Sequence, residues 1–177
     1  MIATVFDTET TGLIINPARK LDTQPEIISL AMQSLIVPSG ELQVSYYKVF
    51  KPKKPIPEEI TKITGFTNDS VSGAPPIKDH LDDIIVFLET SELIIGQNLG
   101  FDMSMIELEC QRDNRRIKWP RKLDLVASTI HLKGYRLSLK NLHTELFGVA
   151  FEDSHTADAD VAATVRCTVE LYKRGLL

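Results

Sequence analysis

Asp7 and Glu9 close the run Ile2-Ala3-Thr4-Val5-Phe6, which is rich in β-branched and aromatic residues and reads as a buried strand. Alternation along a strand turns both carboxylates to one side and Thr8 away. Two carboxylates held this close repel. The pair is stable when one is protonated or when a cation lies between them. Gly12 then allows a sharp turn. Asp102 lies in Gly96-Gln97-Asn98-Leu99-Gly100-Phe101-Asp102, a strand-to-helix junction. It falls in a first helical turn, where the dipole favours negative charge. Alone it also reads as an ordinary first-turn acid, and Asn98 as an ordinary N-cap. The stretch His155-Thr156-Ala157-Asp158-Ala159-Asp160 opens the last helix, with Asp160 near its start. His155 falls in the entering loop, where an imidazole can serve as a general base near neutral pH. A histidine in that place also reads as a plain surface residue. Asp158 projects to the opposite side of the helix from Asp160 and is left out of the site.

The elements that must position these groups are readable in outline. A polar loop covers 16–25. Ile27 to Val37 is a second strand, Pro38-Ser39-Gly40 a turn, and Leu42 to Phe50 a third strand, so an antiparallel edge is expected beside the first strand. Pro57 opens a short helix over Glu58–Ile63. Ile77, Leu81, Ile84, Ile85 and Leu88 mark one helical stripe. Leu93-Ile94-Ile95-Gly96 is a short strand, and Phe101, Met105 and Leu108 continue it as a helix. Ser138 to Phe147 is a further helix, and Thr156 to Lys173 the last, with Val161, Val165, Val169 and Tyr172 inward. Strands first and alternating helices later predict a layered α/β domain around a mixed sheet.

The 177 residues, 43% hydrophobic, suit one globular domain spanning 1–177. A net charge of -4 gives no sign of nucleic-acid binding, although clustered carboxylates would add negative charge that bound cations cancel. Cys110 and Cys167 have neither zinc spacing nor the density of a disulfide framework, which predicts a reducing, cytoplasmic setting. No apolar run reaches membrane-spanning length and no leader precedes the first strand, so no membrane partner is expected.

The order Asp7-x-Glu9, Asn98-x-x-Phe101-Asp102, His155-x-Ala157-x-x-Asp160 resembles the DEDDh (DnaQ-like) 3′–5′ exonucleases. That family includes the proofreading subunits of bacterial DNA polymerases and their RNase T-like relatives. The likeness extends to Lys51-Pro52, to Ile63-Thr64-Gly65-Phe66-Thr67 and to the leucine spacing from Leu137 to Gly148. It implies a ribonuclease H-like three-layer fold with a mixed five-stranded sheet, an antiparallel edge and helices on both faces. It also implies that Asp7, Glu9, Asp102 and Asp160 hold two divalent ions, Mg²⁺ or Mn²⁺, about 4 Å apart. Asp7 would bridge them, Glu9 and Asp160 would serve the nucleophile side, and Asp102 the other. His155 would take the proton of the attacking water, and a nucleoside 5′-monophosphate would leave a single-stranded 3′ end, of DNA or of RNA. Thr10, Leu13, Asn98 and Phe101 would seat the terminal nucleotide, with plain core packing the other reading of Leu13 and Phe101. Ser29 departs from the family where glutamate is frequent, Gln97 where histidine is, and Leu125 where threonine is. Thr156 stands where the sister DEDDy group carries its tyrosine, which excludes that group. A fold that has lost catalysis and become a binding module would lack a ligand, and none is missing. A D-x-D phosphatase fits Glu9 and the following Thr-Thr-Gly poorly.

Arg112, Arg115, Arg116, Lys118, Arg121 and Lys122 crowd around Trp119. They read either as a phosphate-tracking patch or as a solvated helix end. Asp124 reads as structural. The chain ends soon after Asp160, so the long C-terminal tether of a proofreading subunit is not expected. A polymerase partner and the oligomeric state are not indicated.

Overall fold

β1 (Ile2–Thr10) lies in the middle of the sheet, and every layer of the molecule touches it. The structure is a computed structural model that describes residues 1–16, 20–149, 151 and 156–177. After β1 come β2 (Ile27–Ile36), β3 (Glu41–Val49), α1 (Glu58–Thr64), α2 (Leu81–Glu89), β4 (Leu93–Gly96), α3 (Leu99–Arg112), β5 (Arg121–Asp124), α4 (Leu125–Ser128), α5 (Ile130–Lys133), α6 (Leu139–Phe147) and α7 (Ala157–Lys173). The strand order is β3-β2-β1-β4-β5. β2 and β3 run antiparallel. β4 lies parallel to β1, and β5 parallel to β4. The expected mixed five-stranded sheet with an antiparallel edge is therefore present.

Strand alternation sends odd and even residues of β1 into different cores. Ala3 and Val5 join Ala31, Leu35 and Ile95 beneath α6 and α7, where Leu142, Leu146, Val161 and Val165 cover them. Phe6 joins Leu30, Met32 and Ile94 beneath α2 and α3, against Leu81, Ile84, Met105 and Ile106. Both faces of β1 are buried, which explains its near-continuous apolar run. No helix among the described residues is long and apolar enough to cross a membrane.

Most expected elements lie where the periodicity put them. The stripe from Ile77 begins as a 3₁₀ turn over Ile77–His80 before α2. It follows Pro75-Pro76, and Ile77 still packs in the same core as Leu81. β5, α4 and α5 were not expected. Arg121-Lys122-Leu123-Asp124 has no strand pattern and becomes a strand only by pairing with β4. The loop 16–25 includes a 3₁₀ turn at Leu21–Thr23, and its residues 17–19 lie outside the described set.

This loop is held by a buried arginine. The guanidinium Nη2 of Arg112 donates to the carbonyls of Gln24 (3.1 Å) and Pro25 (2.7 Å). Its Nη1 lies 2.8 Å from Glu109 Oε1, with side chains only 9% and 5% exposed. Glu109 also accepts the N–H of Ile27, the first residue of β2. Gln24 passes the restraint on, because its amide accepts from the Ile15 N–H and donates to the Ile15 carbonyl. Arg112 thus belongs to neither reading of the basic cluster, since it is an internal clamp. Arg112→Ala would leave Glu109 buried without its counter-charge, and a loss of about 3–5 kcal/mol is expected from chemical denaturation. The double variant Arg112→Met/Glu109→Leu should lose much less. Equal losses in the two proteins would refute the clamp.

Candidate active site

The acids converge on the end of β1 from three elements. Asp7 and Glu9 face the α7 layer, and Asp160 meets them from the first turn of α7. One carboxylate oxygen from each of the three lies within 4.8 Å of the others. Asp102 arrives from the opposite layer, in the first turn of α3. It stands outside that trio, yet its charge acts strongly on Asp7.

Local backbone explains how Asp102 gets there. β4 ends at Gly96, where a Cβ would come within 3.0 Å of the Leu99 side chain. Asn98 then adopts the left-handed conformation (φ 63°), which asparagine tolerates better than most residues. The chain turns abruptly into α3 and presents Asp102 after one turn. Asn98 precedes the helix as expected, but its side chain makes no capping hydrogen bond. Its contribution is the backbone turn. The Asn98 N–H reaches Asp124 Oδ1 at 3.3 Å, and the same oxygen accepts from Val126 N at 2.9 Å. Asp124 is therefore structural, as its sequence context implied.

Strand alternation predicts only that Thr8 points away from Asp7 and Glu9. It does point away, into the α3 layer. There its N–H (3.0 Å) and its hydroxyl (2.7 Å) both donate to Asp102 Oδ1. Tyr47 was also missed. It stands in the same cross-strand row as Ala31 and Asp7, and the pKa of its hydroxyl is raised by partial burial and then by the charges of Asp158 and Glu9. The signal for both was strand register, which needs the pairing to be known.

Burial and mutual repulsion shape the acids. Asp7 is pushed well above the ordinary carboxylate range by burial, then by Asp102, Asp160 and Glu9. Glu9 rises to about 8 through burial and the charges of Asp160 and Asp102. Asp102 rises to about 7 through burial, against the lowering effect of the two Thr8 hydrogen bonds. Ser29 lies across from Glu9 on β2, fully buried. A glutamate there would add a further charge beside Glu9. The folded acids hold protons that the unfolded chain releases, so stability in chelator should fall as pH rises from below 4.5 to about 8. Asp7→Asn should raise the melting temperature at the upper end. Mg²⁺ should raise it most at the same end and release protons on binding. A melting temperature independent of pH in chelator would contradict this electrostatic account.

Of the remaining expected residues, Leu13 is 80% exposed, which removes the core-packing reading. Phe101 is half-buried against the α2–α3 core, so packing accounts for part of its surface. Thr10 is buried, and its hydroxyl donates to the Gly12 carbonyl at 2.8 Å, which closes the turn. His155 lies outside the described residues. Asp158 is exposed and apart from the trio. Within the basic cluster, the strand residue Arg121 lies away from the acids. Arg121 pairs with Leu93, level with Ala3, about 13 Å along the sheet from Asp7 at 3.3 Å per residue. Trp119 stacks on Phe6 (centroids 6.0 Å apart), and its indole N–H donates to Glu107. Arg115 pairs with Asp82 and Asp113.

Comparison with known proteins agrees with this geometry. A PolC-type DNA polymerase III from Clostridium perfringens is 29% identical over 96% of the chain, which spans 11% of that protein. The 3′–5′ exonuclease DinG of Bacillus subtilis is 26% identical over 96% of the chain and 17% of its own length. The chain thus spans a small part of these relatives. Among solved structures, Escherichia coli exonuclease I with single-stranded DNA superimposes with a TM-score of 0.79 at 18% identity, covering 99% of this chain and 42% of that one. The nuclease domain of 3′hExo, a DEDDh family member bound to rAMP, gives 0.78 at 15% identity, covering 99% and 93%. They share the three-layer ribonuclease H-like fold. The RNase T model, described as exonuclease, matches residues 4–168, a span that holds all four acids, and the chain belongs to that exonuclease family.

Proposed function

We propose that residues 1–177 form one catalytic domain, a metal-dependent 3′–5′ exonuclease. It hydrolyses phosphodiester bonds at single-stranded 3′ ends and releases nucleoside 5′-monophosphates. The observation that carries this reading is the half-buried trio Asp7, Glu9 and Asp160, with the buried Asp102 acting on it. Their donors are all carboxylate oxygens, which fits Mg²⁺ or Mn²⁺. Their mutual repulsion is what bound cations relieve. Asp7 feels all three other acids, in keeping with a bridging position. Glu9 and Asp160 would complete one ion site, and Asp102 the second.

Two bound ions would supply charge neutralisation at the phosphate, a more acidic water and stabilisation of the departing 3′ oxygen. His155 would accept the proton as the water oxygen adds to phosphorus and the bond to the 3′ oxygen breaks. Leu13 offers an exposed apolar face to the terminal base, which needs no sequence preference. Phe101 and the backbone around Thr10 and Asn98 would line the same seat. DNA is the favoured substrate, since the relatives it matches across the chain include a DNA polymerase. The solved neighbours also include an exonuclease described as recognising a histone mRNA stem-loop, so RNA is the competing substrate. A cytoplasmic setting accords with two free, buried cysteines.

A time course on labelled single-stranded DNA, RNA and duplexes with mismatched 3′ ends tests the reading. Stepwise shortening from the 3′ end is expected, with full arrest in excess EDTA. Asp7→Ala and Asp160→Ala should abolish cleavage in folded protein. His155→Ala should slow turnover by about 10²–10⁴-fold and leave metal binding intact. Persistent cleavage in EDTA or in the Asp variants would overturn the mechanism, and unchanged turnover in His155→Ala would reject the base.

A further inference from the structure

Asp102 has to be held beside β1 from the other layer of the molecule. Its three partner acids share one layer, whereas Asp102 belongs to another helix in the other layer. The pairing of β1 with β4 ends at Val5–Ile95, so the N–H of Thr8 lies past that ladder. It is used on Asp102 instead, together with the Thr8 hydroxyl, at 3.0 and 2.7 Å. Both residues are buried, Thr8 at 7% and Asp102 at 3% exposure. Threonine is stiff at χ1, and its two donors meet on one oxygen, Oδ1. The two donors thereby hold Oδ1, and with it the carboxylate, against β1. Hydrogen bonds from the surrounding shell orient ligating carboxylates in just this manner.

We infer that Thr8 is a positioning residue for the second metal ion, the one that Asp7 and Asp102 would share, and that it does not govern the ion held by the Asp7, Glu9 and Asp160 trio. The assignment rests on the metal-dependent reading above. It separates the two ions by layer. The trio is built within the α7 layer and needs nothing from Thr8. The second position exists only while α3 keeps Asp102 beside β1, and the Thr8 hydroxyl is a direct link between the two. A role limited to anchoring α3 would instead lower stability and leave both ion affinities alone.

The test compares wild type with Thr8→Val, which keeps the shape and the N–H but loses the hydroxyl, and with Thr8→Ser, which keeps the hydroxyl. Mn²⁺ binding is followed by calorimetry and electron paramagnetic resonance, melting in chelator reports folding, and Mg²⁺ titration of cleavage reports function. In Thr8→Val the second Mn²⁺ should bind about tenfold more weakly and the Mg²⁺ midpoint should rise by a like factor. The affinity for the first Mn²⁺ should change little, and Thr8→Ser should restore the second ion. Thr8→Ala carries the same expectation should the valine variant fail to fold. Unchanged Mn²⁺ affinities in the folded variants, with wild type binding two ions, would overturn the role of Thr8 alone, as would equal losses in Thr8→Val and Thr8→Ser. A wild type that binds no second ion would overturn it together with the reading beneath it.

Discussion

Repulsion between closely confined carboxylates is the constraint on which the rest of the structure turns. Left to themselves, Asp7, Glu9, Asp102 and Asp160 would separate or take up protons. The fold denies them separation, because each is anchored on a packed element: two on a central strand and one on each of two helices. What remains is protonation or cation binding, and the raised acids record that choice. The cost is offset by two apolar cores, one on each face of the sheet. A smaller domain with a single core would have less burial to set against four confined charges.

The same economy shows in the surroundings. The loop after β1 is tied down from behind, by Arg112 through Gln24, so the exposed Leu13 projects from a fixed base. Part of the positive charge that looked available for a phosphate backbone is enclosed: Arg112 lies on Glu109 and loop carbonyls, while Arg115 pairs at the surface with Asp82 and Asp113. The Trp119 ring is spent on Phe6. Arg121 and Lys122 are exposed, but they lie toward the far end of the sheet from the acids.

Much of this could be read from spacing alone. The period-two pairing of Asp7 with Glu9, the first-turn positions of Asp102 and Asp160, and the amphipathic stripes of α2 and α7 all follow from local rules. The sheet and its antiparallel edge followed from the order of strands and helices. What could not be read depends on contacts between distant parts of the chain. Thr8 looked inert because its partner is Asp102, on another element. Tyr47 falls in the same row as Asp7 only through cross-strand register. Arg112 looked like a surface charge because nothing nearby in sequence announces Glu109 and the 21–25 carbonyls as its enclosure. Asn98 was read as a side-chain cap, whereas its backbone makes the turn. β5 has no pattern of its own and exists through β4.

The alternation of β1 has a consequence for how such a chain can vary in length. Three successive residues serve two layers: Asp7 and Glu9 one, Thr8 the other. A one-residue insertion or deletion between Ile2 and Phe6 would shift the register and exchange the faces of everything beyond it. The acids would then enter the α3 layer and the hydroxyl would face α7. Apolar residues on either side could still be buried, since both faces of β1 are. The strand would survive such an event as a strand while the site vanished. Length change is tolerated in the surface loops and forbidden here, so β1 is a fixed-length ruler against which both layers are aligned.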